Sequence, residues 1–270
     1  MACRDAIKKR EKILQTKPSV VRRHNKSGLD EIVYSTLRFG VDSKTPANVI
    51  LQNNLTAFDW VERNKIAPAF WGRYLTGENC LTGEEIAFIH SNGCKIALIC
   101  CEEGERLTEE QGAALGNMVC LRAFELGAPE DTAIFLEVPE DGHTSAAFMK
   151  GYAKMLLFNG FIPGFKANTD SVVSFDREFS SGLQNDREIF ELCLVWAVAP
   201  TLPEYDRMTT THLLYPDNWA PFAPSGITRK DIAIWQYGKD CHRIYDNDDR
   251  ETSYNLNLVK HDQIVYDFMY

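Results

Sequence analysis

The chain has 270 residues, a length that suits one large α/β domain or two small ones. Its apolar and charged fractions are ordinary for a globular protein, and it is long enough to bury a substantial core. The net charge of −9, from 29 basic and 38 acidic residues, argues against a general nucleic-acid binder, whose interface would be basic.

The N-terminal stretch carries basic residues but no apolar run of signal-peptide length, and no segment has the length and hydropathy of a membrane span. We therefore predict neither a Sec signal peptide nor a transmembrane helix. The eight cysteines show no C-x-x-C pair and no zinc-finger spacing with histidine, so free thiols are favoured over a disulfide framework. The compartment stays open between the cytoplasm and export by a non-Sec route.

Residues 1–34 are predicted to form a helical and loop extension, and residues 35–270 the main domain. The first strand of that domain is predicted over 35–42, where it ends in Asp42. After it, Thr45 and Pro46 are typical of a helix start, with threonine as N-cap and proline at the first helical position.

Apolar strands and amphipathic helices alternate along the rest of the chain. Further strands are predicted at 66–74, 95–101, 133–141, 161–168, 189–199 and 232–237, and helices at 81–91, 108–126 and 144–159. This alternation is typical of parallel βαβ units. An eighth strand between Thr210 and Tyr215 would close a barrel. We therefore predict an α/β fold, a (β/α)₈ TIM barrel with room for irregularity, behind a short N-terminal extension.

Unusual polar residues fall at or just beyond the carboxyl ends of the predicted strands. They are Asp42, Arg73, Glu102, Glu137, Asn168 and Tyr237. In a barrel those ends converge on one mouth. An open doubly wound sheet would also gather ligands there, but it usually carries a glycine-rich phosphate turn. The chain has neither that turn nor a P-loop, so nucleotide chemistry is unsupported.

The strand over 133–141 runs from apolar residues into three carboxylates. Alternation along a strand puts Glu137 and Asp141 on one face and Glu140 on the other. Glu140 and Asp141 also suit the start of a loop, where charged residues are common. Glu137 is surrounded by apolar residues, which predicts a raised pKa and favours it as a proton donor.

Other chemistries find little support in the motifs. There is no G-x-S-x-G elbow, and the six histidines show no metal-ligand spacing, so neither a metal nor a cofactor is predicted. Carboxylates accompanied by aromatic rings at the same strand ends are what glycoside hydrolysis requires. The rings are Trp71, Tyr74, Trp235 and Tyr237, although Trp71 and Trp235 suit barrel packing equally well.

The order of several short motifs resembles a known family. They are Phe39-Gly40-Val41-Asp42, Phe70-Trp71-Gly72-Arg73-Tyr74-Leu75, Leu81-Thr82-Gly83-Glu84-Glu85, Ile134-Phe135-Leu136, Gly164-Phe165-Lys166-Ala167-Asn168 and Trp235-Gln236-Tyr237. Over residues 36–260 the chain is similar to the glycoside-hydrolase-like domain of unknown function DUF1906, a bacterial TIM-barrel family related to family 25 lysozymes. The resemblance implies a barrel mouth directed at peptidoglycan or a similar polysaccharide.

Two positions depart from the family pattern. Where family 25 lysozymes carry the acid of an Asp-x-Glu motif, this chain has Pro139, which has no proton to donate. Asn255-Leu256-Asn257 resembles the closing Asp-Leu-Asn motif, with asparagine in place of the aspartate. Either Glu137 acts together with Asp42 and Asp141, or the cleft binds glycans without cleaving them.

The leading hypothesis is a glycoside-hydrolase-like protein acting on peptidoglycan or a related cell-wall polysaccharide. The candidate catalytic residues are Asp42, Glu137, Asp141 and Glu140, and the candidate substrate-binding residues are Arg73, Tyr74, Glu102, Asn168, Trp235, Tyr237 and Asn257. The alternative is a non-catalytic glycan-binding or assembly protein that keeps the barrel cleft. A third hypothesis, phosphoester chemistry, would use Arg73 to hold the anion.

Overall fold

Among the residues that the structure describes, eight strands hydrogen-bond in sequence order and close into a barrel. The structure is a computed structural model. It describes residues 23–24, 30–31, 37–51, 54–63, 67–101, 104, 106–140, 143–201, 216, 219–241, 253–260 and 266–270.

Helices follow most of the barrel strands, as expected for βα units. Two short strands, β1 (Arg23–His24) and β2 (Asp30–Glu31), pair with each other outside the barrel. The barrel strands are β3 (Leu37–Asp42), β4 (Phe70–Tyr74), β5 (Lys95–Cys100), β6 (Ala133–Glu137), β7 (Ile162–Asn168), β8 (Leu194–Val198), β9 (Ile232–Cys241) and β10 (Tyr254–Lys260). The helices are α1 (Ala57–Arg63), α2 (Gly83–Ser91), α3 (Glu109–Glu125), α4 (Ala146–Phe158), α5 (Ser174–Asn185) and α6 (Arg187–Phe190). The predicted TIM-barrel fold is confirmed. Apart from β1 and β2, the extension predicted over 1–34 lies outside the described residues.

Side-chain caps define the starts of three of these helices. Thr82 accepts a hydrogen bond from the Glu85 amide at the start of α2, and Ser145 caps α4. Thr108 and Gln111 form a reciprocal capping box on α3. Each cap satisfies a backbone amide that the helix leaves unpaired.

The helix predicted to begin at Thr45 and Pro46 is not formed, and the first helix among the described residues begins at Ala57. Side chains bind the amides there: the Thr45 amide donates to the Ser43 hydroxyl, and the Ala47 amide donates to the Glu85 carboxylate. The segment is therefore a loop after β3 that these two hydrogen bonds hold in place.

The strand that closes the barrel is β10, which pairs antiparallel with both β3 and β9. The segment Thr210–Tyr215, where the sequence suggested an eighth strand, lies outside the described residues. An antiparallel pair of strands does not require a crossover helix. The barrel is therefore irregular at its closing strand, which the predicted fold allowed for.

Alternation along each strand divides the core into two layers. Phe70 and Tyr74 of β4 point into the barrel, whereas Trp71 between them packs against the surrounding helices. Inside the barrel, Trp196 makes edge contacts with Phe70 and Phe135, at centroid distances of 6.4 and 5.3 Å. These rings fill the lumen below the carboxyl ends of the strands. The helices of the described part are too short or too polar to cross a membrane.

Residues 266–270 close the opposite end of the barrel. Tyr270 and Ile96 exchange two main-chain hydrogen bonds of 2.9 and 2.6 Å, and the Ala133 amide donates to the Phe268 carbonyl. Met269 packs into the cluster that fills the lumen. The last residues thus seal the barrel by main-chain pairing and apolar packing.

Replacing Met269 with alanine should therefore lower the free energy of unfolding by about 2–5 kcal/mol, because the change leaves a cavity in the lumen. The matched control is Phe158→Ala, since Phe158 is 83% exposed. That control should change stability by no more than about 0.5 kcal/mol. Urea unfolding followed by circular dichroism measures both, and equal losses would contradict the assignment of Met269 to the seal.

Candidate functional site

A cavity of about 890 Å³ opens at the carboxyl ends of the barrel strands. Strand-end side chains supply much of its wall, including Asp42, Tyr74, Glu137, Lys166, Asn168 and Gln236. These residues come from five different strands that converge at one mouth. The position is the one at which TIM barrels place their active sites.

The buried side chain of Lys166 is the centre of the cavity floor. Its Nζ lies 2.6 Å from Asp42 Oδ2, 3.0 Å from Glu137 Oε1 and 3.3 Å from the Tyr74 hydroxyl oxygen. Burial alone would lower the pKa of Lys166, but the negative charges of Asp42 and Glu137 outweigh it and hold the pKa well above its ordinary value. The floor therefore contains a permanent ammonium.

Asp42 accepts hydrogen bonds at both carboxylate oxygens. Besides Lys166, Asn255 Nδ2 donates to Oδ2 at 2.8 Å and Asn257 Nδ2 donates to Oδ1 at 2.7 Å. The register of β10 against β3 sets both asparagines beside this carboxylate. Asp42 is fully buried, so these three donors replace its water.

A glycine makes room for this arrangement. A Cβ atom on Gly72 would lie 2.5 Å from the Cβ of Asp42 and 3.0 Å from the Trp196 ring. Trp196 in turn donates from Nε1 to Asn257 Oδ1 at 2.9 Å. The tryptophan thereby orients the asparagine, which leaves the Asn257 amide nitrogen directed at Asp42.

Glu137 is the more accessible carboxylate of the floor, with 29% of its side chain exposed. Burial raises its pKa, but the charge and hydrogen bond of Lys166 and the hydrogen bond from Tyr74 reverse the effect, so the pKa lies below its ordinary value. The expected raised pKa is therefore wrong. Since the folded pKa is below the unfolded one, the stability that Glu137 contributes is present above the unfolded pKa and is lost as pH falls through the folded pKa.

Tyr74 is a neutral hydrogen-bond donor in this cluster. Burial and the neighbouring carboxylates raise the pKa of its hydroxyl despite the opposing charge of Lys166. The hydroxyl donates to Glu137 Oε1 at 3.0 Å. Glu137 Oε1 is thus held by a phenol and an ammonium together.

The structure brings several of the predicted site residues together at this cavity. Asp42, Tyr74, Glu137, Asn168 and Glu140 line it, and Asn257 lies beneath it against Asp42. Glu140 is a rim residue, 3.7 Å from Lys239, and Pro139 belongs to the wall. Glu102 and Asp141, which were also predicted here, lie outside the described residues.

Three other predicted site residues are placed in the layer between the barrel and its helices. Arg73 follows the alternation of β4 and points away from Tyr74. Its Nε lies 2.6 Å from Glu85 Oε1, and its two terminal nitrogens donate to the carbonyls of Ser43 and Asn79. Trp235 donates to the Ala199 carbonyl and packs against Tyr237. None of the three lines the cavity.

The site also contains three residues that had no role predicted from the sequence, namely Lys166, Asn255 and Gln236. Lys166 had a usable signal: it is a charged residue inside an apolar strand, two positions before Asn168 and therefore on the same face. Gln236 is buried in the wall, and its Oε1 has no hydrogen-bond donor within the described part of the chain. Asn255 was noted only as a replacement for aspartate.

Comparisons with known proteins reveal similarity in structure alone. No protein-family model and no curated protein sequence matches the chain. An uncharacterized protein of B. stearothermophilus, solved at 1.07 Å, is similar over 86% of this chain and 100% of its own, with 24% identity and a TM-score of 0.68. The modular autolysin LytC from Streptococcus pneumoniae, solved in complex with a synthetic peptidoglycan ligand, is similar over 90% of this chain and 53% of its own, with 9% identity and a TM-score of 0.51. Both likenesses concern the fold alone.

The buried pair of Arg73 and Glu85 should behave as a structural clamp. Replacing either residue alone, as Arg73→Met or Glu85→Leu, should cost about 3–5 kcal/mol, because the partner charge stays buried and uncompensated. The double variant should lose less than the sum of the two single losses.

Chemical unfolding of the four proteins in this cycle measures the coupling between the two residues. The exposed pair Arg187 and Glu191 serves as the control, and its removal should cost less than about 1 kcal/mol. Additive losses for Arg73 and Glu85 would contradict the clamp.

Proposed function

We propose that this chain is a glycoside-hydrolase-like protein whose cavity binds a cell-wall polysaccharide of the peptidoglycan type. The observation that carries the proposal is the open cavity above the Asp42, Lys166 and Glu137 cluster. Its volume lies within the range of about 300–1,000 Å³ that is usual for ligand sites. The likeness to an autolysin solved with a peptidoglycan ligand supports the same class of ligand.

The chemistry of the wall suits a sugar. Hydroxyl and acetamido groups both donate and accept hydrogen bonds, so they need neighbours of both kinds. The cavity offers the carboxylate of Glu137, the amides of Asn168 and Asn255 and the ammonium of Lys44. Among the lining residues, the aromatic ones are Tyr74 and Tyr254.

The state of the two floor carboxylates favours binding over cleavage. Glycoside hydrolysis needs one protonated acid beside the leaving oxygen. Asp42 accepts hydrogen bonds from three donors, and the lowered pKa of Glu137 keeps it ionised near neutral pH. The floor therefore binds hydroxyl groups as an acceptor and supplies no acidic proton.

Retaining hydrolysis is the second candidate, and the spacing of the same two carboxylates favours it. Lys166 Nζ is 2.6 Å from one and 3.0 Å from the other, so their nearest oxygens are no farther apart than the sum of these distances. That limit is below the separation of about 6.5–9.5 Å in inverting glycosidases. Under this hypothesis Glu137 would act as the nucleophile.

Incubation with purified peptidoglycan and soluble muropeptides tests the proposal. We expect the protein to co-sediment with peptidoglycan and to release no new reducing ends, because the floor supplies no acid. Glu137→Gln should weaken binding, whereas Glu188→Gln, an exposed change on α6, should leave it unchanged.

The outcomes separate the two candidate functions. New reducing ends that disappear in Glu137→Gln would establish hydrolysis instead of binding alone. Absence of binding to every glycan tested, with the fold intact by circular dichroism, would overturn the proposed function.

A further inference from the structure

The two oxygens of Glu137 have different surroundings. Oε1 accepts from Tyr74 and contacts the Lys166 ammonium. Within the part of the chain that the structure describes, no hydrogen bond or ion pair reaches Oε2. Because 29% of the side chain is exposed and the residue lines the cavity, this second oxygen is available to a ligand.

The charges of the floor do not cancel. Asp42 and Glu137 carry two negative charges, and Lys166 between them carries one positive charge. Both oxygens of Asp42 already accept hydrogen bonds, so the uncompensated negative charge lies at Glu137. A ligand group that donates and carries positive charge would complete this floor.

Among the described residues, none of the three lysines of the cavity forms an ion pair with Glu137 Oε2. Lys166 is on the side of Oε1. Lys44 at the rim acts on Glu137 through its field, but it forms no ion pair with it and lies 6.0 Å from the centre of the Tyr74 ring. Lys239, the other rim lysine, lies 3.7 Å from Glu140.

We propose that the cavity selects an amino sugar whose nitrogen carries no acetyl group, and that Glu137 is the residue that determines this specificity. The proposal rests on the proposed function, since it concerns a glycan in the same cavity. The protonated amine of such a sugar donates to Glu137 Oε2 and neutralises the floor. The acetamido group of an acetylated sugar is a neutral donor with a bulkier substituent, so it binds Glu137 Oε2 more weakly than the amine does.

The size of the preference follows from the charge of the amine. Both the amine and the acetamido group would donate to the same charged carboxylate, but only the ammonium adds attraction between opposite charges, which at a partly buried site is enough to change affinity about tenfold. We therefore expect the protein to bind a β-1,4-linked glucosamine tetramer about tenfold more tightly than the N-acetylglucosamine tetramer of the same length. The preference should shrink with added salt, because part of it is electrostatic.

Isothermal titration calorimetry with the two tetramers and with soluble muropeptides tests the inference, at a pH where the glucosamine amine is protonated. In Glu137→Gln the affinity ratio of the two tetramers should fall to about one, because the amide carries no charge. In the control Glu188→Gln the ratio should stay as in the wild type, since this residue is exposed on α6, ahead of the amino end of β8. Circular dichroism and urea unfolding establish that each variant is folded.

Equal or tighter binding of the acetylated tetramer by the wild type would overturn the inference, and so would a preference that survives in Glu137→Gln. Either result leaves the proposed function standing as long as a tetramer or a muropeptide binds. If none of the three ligands binds the folded wild type, the proposed function fails together with the inference.

Discussion

The ammonium of Lys166, buried at the bottom of the barrel mouth, is the interaction on which the site depends. A buried charge is costly unless partners replace its hydration. Here Asp42 and Glu137 lie within 2.6 and 3.0 Å, and the Tyr74 hydroxyl completes the set. The same contacts decide the protonation of the floor, because they keep Glu137 ionised despite its burial. Stability and chemistry are therefore set by one group of contacts.

The direction of the closing strand gives this cluster its remaining partners. Because β10 runs antiparallel to β3, Asn255 lies opposite Asp42 in the register and Asn257 lies two positions further on, on the same face. Both side chains donate to Asp42. An aspartate at 255 would put a second carboxylate next to Asp42. The asparagine instead donates a hydrogen bond to Asp42 and brings no second negative charge.

The barrel was predictable from sequence because the alternation of apolar strands and amphipathic helices is a local signal. Asp42, Tyr74 and Glu137 were also predicted at one mouth, because each ends a strand. Arg73 and Trp235 were misplaced because the sequence does not say which face of a strand points into the barrel. A shift of one residue along a strand moves a side chain from one face to the other. Lys166 was overlooked because its three partners lie on other strands, 29, 92 and 124 residues away along the chain. The pKa of Glu137 followed from those partners and not from its apolar neighbours in sequence.

The most direct test of this account is a carbon-13 NMR titration of the Glu137 side-chain carboxyl, assigned by its absence in Glu137→Gln. In the wild type we predict a pKa below the ordinary glutamate value. In Lys166→Met the pKa should rise, and in Tyr74→Phe, which removes one hydrogen bond and keeps the ammonium, it should rise less. A wild-type pKa at or above the ordinary value would contradict the central role of Lys166, and so would a pKa that is the same in folded Lys166→Met.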